Sequence, residues 1–227
     1  MSDTEIEVKT TAGAKTANFL EKNKKGLTAF LCAAVIILLA YIVFTAVSSS
    51  AKTKNLQKID EISYSLTNGS SSLTEDELNA RRSKVIEDLD VFLKKSGVVG
   101  VRANLLAAEV SYQKNEKMEA VNYWNAAVNA DKKAYTAPLA YANMAAAYED
   151  LNQLDDAAAA YKKAWEAKSF IMRAHAGFNY GRILEAQGKY EEAKSVYEAI
   201  NDELPDDTFA KLAKTRLIQL KIDGQTE

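Results

Sequence analysis

Sulfur and imidazole chemistry are almost missing from this sequence, which holds one cysteine, Cys32, and one histidine, His175. One thiol cannot close a disulfide within the chain. A zinc site would have to rely on carboxylates, without the ligands zinc prefers. Ser-His-Asp or Cys-His catalysis would have to run through His175, and no glycine-rich nucleotide loop is present. Breakers are scarce too, with two prolines and nine glycines, while Ala, Lys and Glu abound. That balance favours helix throughout. The net charge of -2 leaves no basic footprint for nucleic acid. What remains is a helical binding or structural protein with no cofactor, metal or catalytic residue, and not an enzyme.

One long apolar run stands out. Leu27 to Val47 (LTAFLCAAVIILLAYIVFTAV) carries no charge over 21 residues. At about 1.5 Å per residue it reaches roughly 30 Å, the thickness of a bilayer core. A signal-peptide core is shorter and lies nearer the start, although Ala46-Val47-Ser48 would serve as a cleavage pattern. Phe30-Leu31 before Cys32 is too bulky for lipoprotein cleavage, so Cys32 reads as a buried small apolar residue. Lys15, Lys22, Lys24 and Lys25 precede the run, and Lys52, Lys54 and Lys58 follow it. This slight bias places the N-terminus in the cytoplasm. The expected layout is a polar, irregular tail over 1–25, a membrane helix over 26–48, a helical stalk and first hairpin over 49–100, and a repeat domain over 101–227.

Beyond the anchor, Leu56, Ile59, Ile62, Ser63 and Leu66 recur at helical spacing. Asn68-Gly69 followed by serines ends that helix, and Thr74 to Glu77 is a capping box for the next. Asn68-Gly69-Ser70 is also a glycosylation triplet, which a turn explains equally well. Val85, Ile86, Leu89, Phe92 and Leu93 share one side of the second helix, and Gly97 and Gly100 bracket the following break. From Arg102 onward three blocks align. Ala120, Ala157 and Ala193 recur at steps of 37 and 36, as do Trp124, Tyr161 and Tyr197. The small residue lets paired helices approach, and the aromatic four residues later fills the space between repeats. Asn115, Asn152 and Gly188 suit left-handed helix ends. Asp206-Asp207-Thr208 starts a last helix to Ile222, whose Phe209, Leu212, Ala213, Leu217 and Leu220 would cover the open end. Asp155-Asp156 and Asp206-Asp207 fall at helix starts, where the dipole favours acids over any metal role.

These blocks resemble the tetratricopeptide repeat family over about residues 101–205, most closely in GRILEAQGKYEEAKSVYEAI with Pro205 beyond. The steps exceed the family's usual 34, which implies longer helices or turns. The fold expected is all-α, a transmembrane helix followed by an α-α superhelical repeat domain. In this family the first helix of each pair lines a groove. The resemblance implies that Leu105, Glu109, Tyr112, Ala142, Asn143, Ala146, His175, Phe178, Asn179 and Arg182 face it. Asn143 and Asn179 take equivalent places, and an asparagine side chain can both donate to and accept from a peptide backbone. Leu105-Leu106 and Glu109 stand where a carboxylate clamp would put lysine and asparagine, so that clamp is not implied.

The whole layout is similar to the YfgM family of bacterial inner-membrane proteins, with FLKKSGVVGVRANLLAAEVSYQKNEKMEAVNYWNAAV in the place of its first repeat. That resemblance implies a periplasmic repeat domain and an accessory role beside the SecYEG translocon, with translocon subunits or envelope chaperones as partners. The fold would equally serve a scaffold in a secretion or motility machine, or an organelle import receptor with cytosolic repeats. Hydrophobic surface in the groove would serve a homo-oligomer as well.

Overall fold

The structure is a computed structural model that describes residues 12–227, with side chains from Thr16. Among these residues there are nine α-helices and a 3-10 turn at Ser70–Ser72. The first helix, α1, runs Ala12–Thr67. Two compact units, 1–53 and 54–227, divide within it.

In the first unit no described residue is buried. Phe30, Ile36, Ile37 and Phe44 each expose more than half their surface, and Cys32 is exposed as well. The expectation of a buried Cys32 is corrected to that extent: no protein element covers it. This stretch of α1 is long and apolar enough to cross a membrane. Residues 12–25, expected to be irregular, are helical. Once the apolar run has nucleated a helix, each added residue gains a hydrogen bond at little cost. The rest of the expected tail, 1–11, lies outside the described residues.

The second unit holds the tail of α1 and α2 (Glu75–Leu93), α3 (Gly97–Gln113), α4 (Lys117–Ala130), α5 (Ala137–Asp150), α6 (Leu154–Glu166), α7 (Arg173–Ala186), α8 (Tyr190–Glu203) and α9 (Thr208–Ile222). From α2 onward each helix packs on the next, giving a stack of antiparallel pairs. This is the all-helical, tetratricopeptide-like superhelix that the sequence led us to expect.

Local chemistry explains the boundaries. Thr74 Oγ1 accepts from Glu77 N, and Thr74 N donates to Glu77 Oε2 at 2.8 Å, closing the capping box of α2. Gly69, at φ 64, turns the chain after α1. Asn115 (φ 63), Asn152 (φ 56) and Gly188 (φ 73) are all left-handed. Each lets the next residue's N–H reach back: Glu116 to Ser111, Gln153 to Tyr148 and Lys189 to Leu184, at 2.8–2.9 Å. Three repeats therefore end their first helix by one device.

Three apolar clusters run through the unit. One joins the tail of α1 to α2 and α3, one spans α3 to α7, and one closes α6 to α9. Ala120, Ala157 and Ala193 are fully buried, and Trp124, Tyr161 and Tyr197 nearly so. In α7 the approach is closer still. A Cβ at Gly181 would stand 2.5 Å from the Tyr197 ring, and one at Gly177 would stand 2.7 Å from Trp165.

Two expectations need correction. Gly97 opens α3, and Gly100 lies buried in its first turn rather than beyond a break. A Cβ at Gly100 would collide with the Lys95 carbonyl, so glycine lets the entering chain fold over the helix. Leu212 is exposed in α9, while Ala210, Ala213 and Leu220 are buried. Leu212 precedes Ala213 by one residue, about 100° round the helix and off the packed face.

Candidate protein-binding groove

The first helices of the three pairs, α3, α5 and α7, bring equivalent residues into columns. At steps of 37 and 36, Leu105, Ala142 and Phe178 form one column, and Glu109, Ala146 and Arg182 another. Leu106, Asn143 and Asn179 form a third. None of these residues is buried, so the face they share is left uncovered by the rest of the chain. The helix period puts positions four apart on one face, which is why the columns lie side by side.

The outer helices fill their part of this face with large side chains tied to their neighbours. On α3, the Tyr112 ring lies 5.8 Å from that of Trp124, and its hydroxyl donates to Asp150 Oδ2 at 2.7 Å. Lys117 also pairs with Asp150 at 2.8 Å. These two hydrogen bonds hold the Asp150 carboxyl below its ordinary pKa. Glu109 is exposed and accepts from Gln113 Nε2.

On α7, Phe178 packs on Tyr197 and Phe209, and His175 meets Phe209 edge-on at 4.8 Å. Asn179 Nδ2 lies 2.9 Å from His175 Nε2, and its Oδ1 accepts from Arg182. Arg182 reaches across to Glu149 Oε2 on α5 at 2.6 Å. Burial, then the Arg182 charge, pushes the His175 pKa down. The imidazole is thereby held neutral at pH 7.

The middle helix differs. Ala142 and Ala146 give α5 a low surface, and Asn143 between them makes no side-chain hydrogen bond. Apart from the two alanines, the eight groove residues singled out in the sequence therefore fall into two sets. Tyr112, His175, Phe178, Asn179 and Arg182 are engaged within the chain. Leu105, Glu109 and Asn143 leave their functional surface open, although Leu105 also leans on the central core.

Sequence reasoning missed the tie between successive first helices. Glu149 accepts Arg182, and one repeat later Glu185 accepts Arg216 from α9. Glu149 and Glu185 are 36 apart, so the repeat step itself was the available signal. Glu185 also accepts the buried Tyr197 hydroxyl. Asp155 and Asp156 sit in the first turn of α6, and Asp207 caps α9 by accepting from Phe209 N at 2.8 Å.

Comparison with known proteins bears on the family and the fold. A family profile described as a tetratricopeptide repeat-like domain matches residues 17–226. A TPR repeat-containing protein of Treponema pallidum (strain Nichols) is 25% identical over 130 residues, covering 57% of this chain. The chain thus spans about half, 54%, of that relative's length. Among solved structures, the kinesin light chain nearly identical TPR-like repeats of Podosopora anserina superpose with a TM-score of 0.56 at 16% identity. That match covers 76% of this chain and 88% of the other. The MamA protein aligns at a TM-score of 0.44 and 19% identity, over 56% of this chain and 69% of its own.

Proposed function

The chain belongs to the tetratricopeptide repeat-like family, and from that premise we propose that it is a membrane-anchored adaptor that holds a protein segment over α5. Repeats of this family imply a protein–protein interaction scaffold rather than an enzyme. The observation that carries the finer reading is the open floor of α5. Asn143 offers one acceptor and two unused donors beside two alanines. Small side chains let a guest backbone approach closely enough to use them, and Leu105 supplies apolar contact at the side.

The anchor is the apolar stretch of α1, residues 27–47, with the N-terminus in the cytoplasm and the repeats in the periplasm. The lysines on its N-terminal flank support that direction. The order of tail, anchor and repeats is that of the YfgM-like accessory subunits, which supports a place beside the export translocon. The partners of this reading are translocon subunits or envelope chaperones.

A photocrosslinker at Asn143 in native membranes, read by mass spectrometry, tests it. Capture of a translocon subunit or chaperone is the expected result. Capture of a different envelope machine makes the protein a scaffold of that machine and ends the export reading. Capture of a second copy makes the groove an oligomer contact.

A further inference from the structure

The junctions between repeats carry a second pattern at the same step. Val98, Tyr135 and Ile171 are 37 and 36 apart, and each stands at the entrance to a first helix. They are 44%, 92% and 95% exposed, although a junction residue of a soluble stack has no need to be apolar. Lysines precede two of them in pairs, Lys94-Lys95 and Lys132-Lys133, all exposed and none in an ion pair. Lys168 precedes the third and pairs with Glu203.

Because the helices alternate in direction, the α2–α3, α4–α5 and α6–α7 junctions lie on one edge of the stack. Val98 and Tyr135 indeed line one cleft, about 640 Å³ in volume, together with the cations Arg102 and Lys133 and one acid, Asp131. The helix starts on the opposite edge are rich in acids, with Glu75, Asp76 and Glu77 starting α2, Asp155 and Asp156 starting α6, and Glu191 and Glu192 starting α8, and its Lys114 and Lys117 are paired with Glu116 and Asp150. The last junction, before α9, is acidic through Asp206 and Asp207, so the basic pattern stops at the third repeat.

The chain also enters the repeat unit on the basic edge. Leu66 lies near Gln113 at the far end of α3, while Asp60 pairs with Arg102 near its start. Following α1 back towards Lys54 therefore leads to the Val98 end. Only six residues separate Val47 from Lys54 in sequence, a reach of at most about 25 Å.

We propose that this edge is a lipid-docking surface, with the lysines meeting anionic headgroups and Tyr135, Ile171 and Val98 entering the interface. Exposed tyrosine and aliphatic side chains flanked by free lysines are the chemistry of an anionic bilayer surface. An acidic protein would match the lysines and leave the exposed apolar tips without a use. The proposal rests on reading α1 as a membrane anchor. Docking would fix the height of the groove above the membrane, so a guest would be met at a set distance.

The test uses the full chain with Cys32→Ser, reconstituted into phosphatidylcholine vesicles with or without phosphatidylglycerol. One preparation carries Ser169→Cys on the basic edge and the other Lys189→Cys on the acidic edge, each bearing a fluorophore. Spin-labelled headgroups should quench the label at 169 in phosphatidylglycerol vesicles and leave that at 189 bright. Each lysine near an anionic leaflet shifts the docked-to-free ratio by about fivefold, so Lys132→Glu with Lys133→Glu should lower it by on the order of tenfold or more. Tyr135→Ser should weaken quenching while leaving the lysines intact. Equal quenching at the two sites, or quenching indifferent to phosphatidylglycerol or to the lysine pair, overturns the proposal. So does protection of site 169 only when a second protein is added, which would make the edge a protein contact. A chain that fails to float with vesicles at all refutes the anchor and this surface together, whereas a chain that floats with site 169 bright refutes this surface alone.

Discussion

The second and third repeats share a frame and differ in what they do with it. Both end their first helix on a left-handed residue, bury an alanine at the crossing, and fill the gap with tyrosine. In the third, every large groove residue of α7 is spent on the chain's own neighbours: His175 on Phe209, Phe178 on Tyr197, Arg182 on Glu149. In the second, α5 offers two alanines and an unengaged Asn143. The repeat that looks most like its family is therefore the one that holds the stack together. The plainer repeat leaves its face uncovered by the chain, and it is there that the proposed guest would sit.

The largest predicted effect removes the shared frame. Tyr197→Ala empties a fully buried site and should cost about 3–5 kcal/mol in chemical denaturation, with Tyr161→Ala costing a similar amount. Next, Ala193→Leu overfills the α7–α8 crossing and should cost about 1–3 kcal/mol, as should Ala157→Leu in the second repeat. Variants that melt like the parent would mean the crossings are not closely packed, and unequal losses would mean that the two are not equivalent.

The ties between first helices should separate the repeats. Arg216→Ala leaves the charge of Glu185, whose side chain is only 9% exposed, with the Tyr197 hydroxyl but no cation, at about 1–3 kcal/mol. Arg182→Ala leaves Glu149 with more water around it and should cost about 1 kcal/mol or less. Equal losses in urea melts would contradict that ranking.

The smallest effect is titratable. The folded-state pKa of His175 lies below its ordinary 6.5, so below that pH the unfolded chain binds more protons than the folded one. Stability is full above pH 6.5 and should decline as pH falls from there towards 5. His175→Gln should flatten that stretch. Asp150 acts only further down, because its carboxyl is held below an ordinary value of 3.8.

How much of this was legible in the sequence follows from the range of each interaction. The capping box at Thr74, the left-handed Asn115, Asn152 and Gly188, and the alanine and aromatic anchors are local or strictly periodic, and each was read correctly. Engagement of Arg182 by Glu149 spans 33 residues and depends on how one repeat is set against the next, so Arg182 looked free for a partner. Leu212 was placed on the covering face of α9 because its type fits a core, but helix rotation decided otherwise. Gly181 stood at the head of the best-matching block and Gly177 carried no reading, and the reason for both lies in the rings of Trp165 and Tyr197 packed above them.

The most direct test of an open second repeat beside a closed third compares crosslinking from two equivalent asparagines. A photoreactive residue at Asn143 should capture a partner protein, one at Asn179 should give several-fold less, and Ala142→Trp should abolish capture at 143 without lowering the melting temperature. Equal capture from both positions, or capture at 143 that survives Ala142→Trp, would contradict the account.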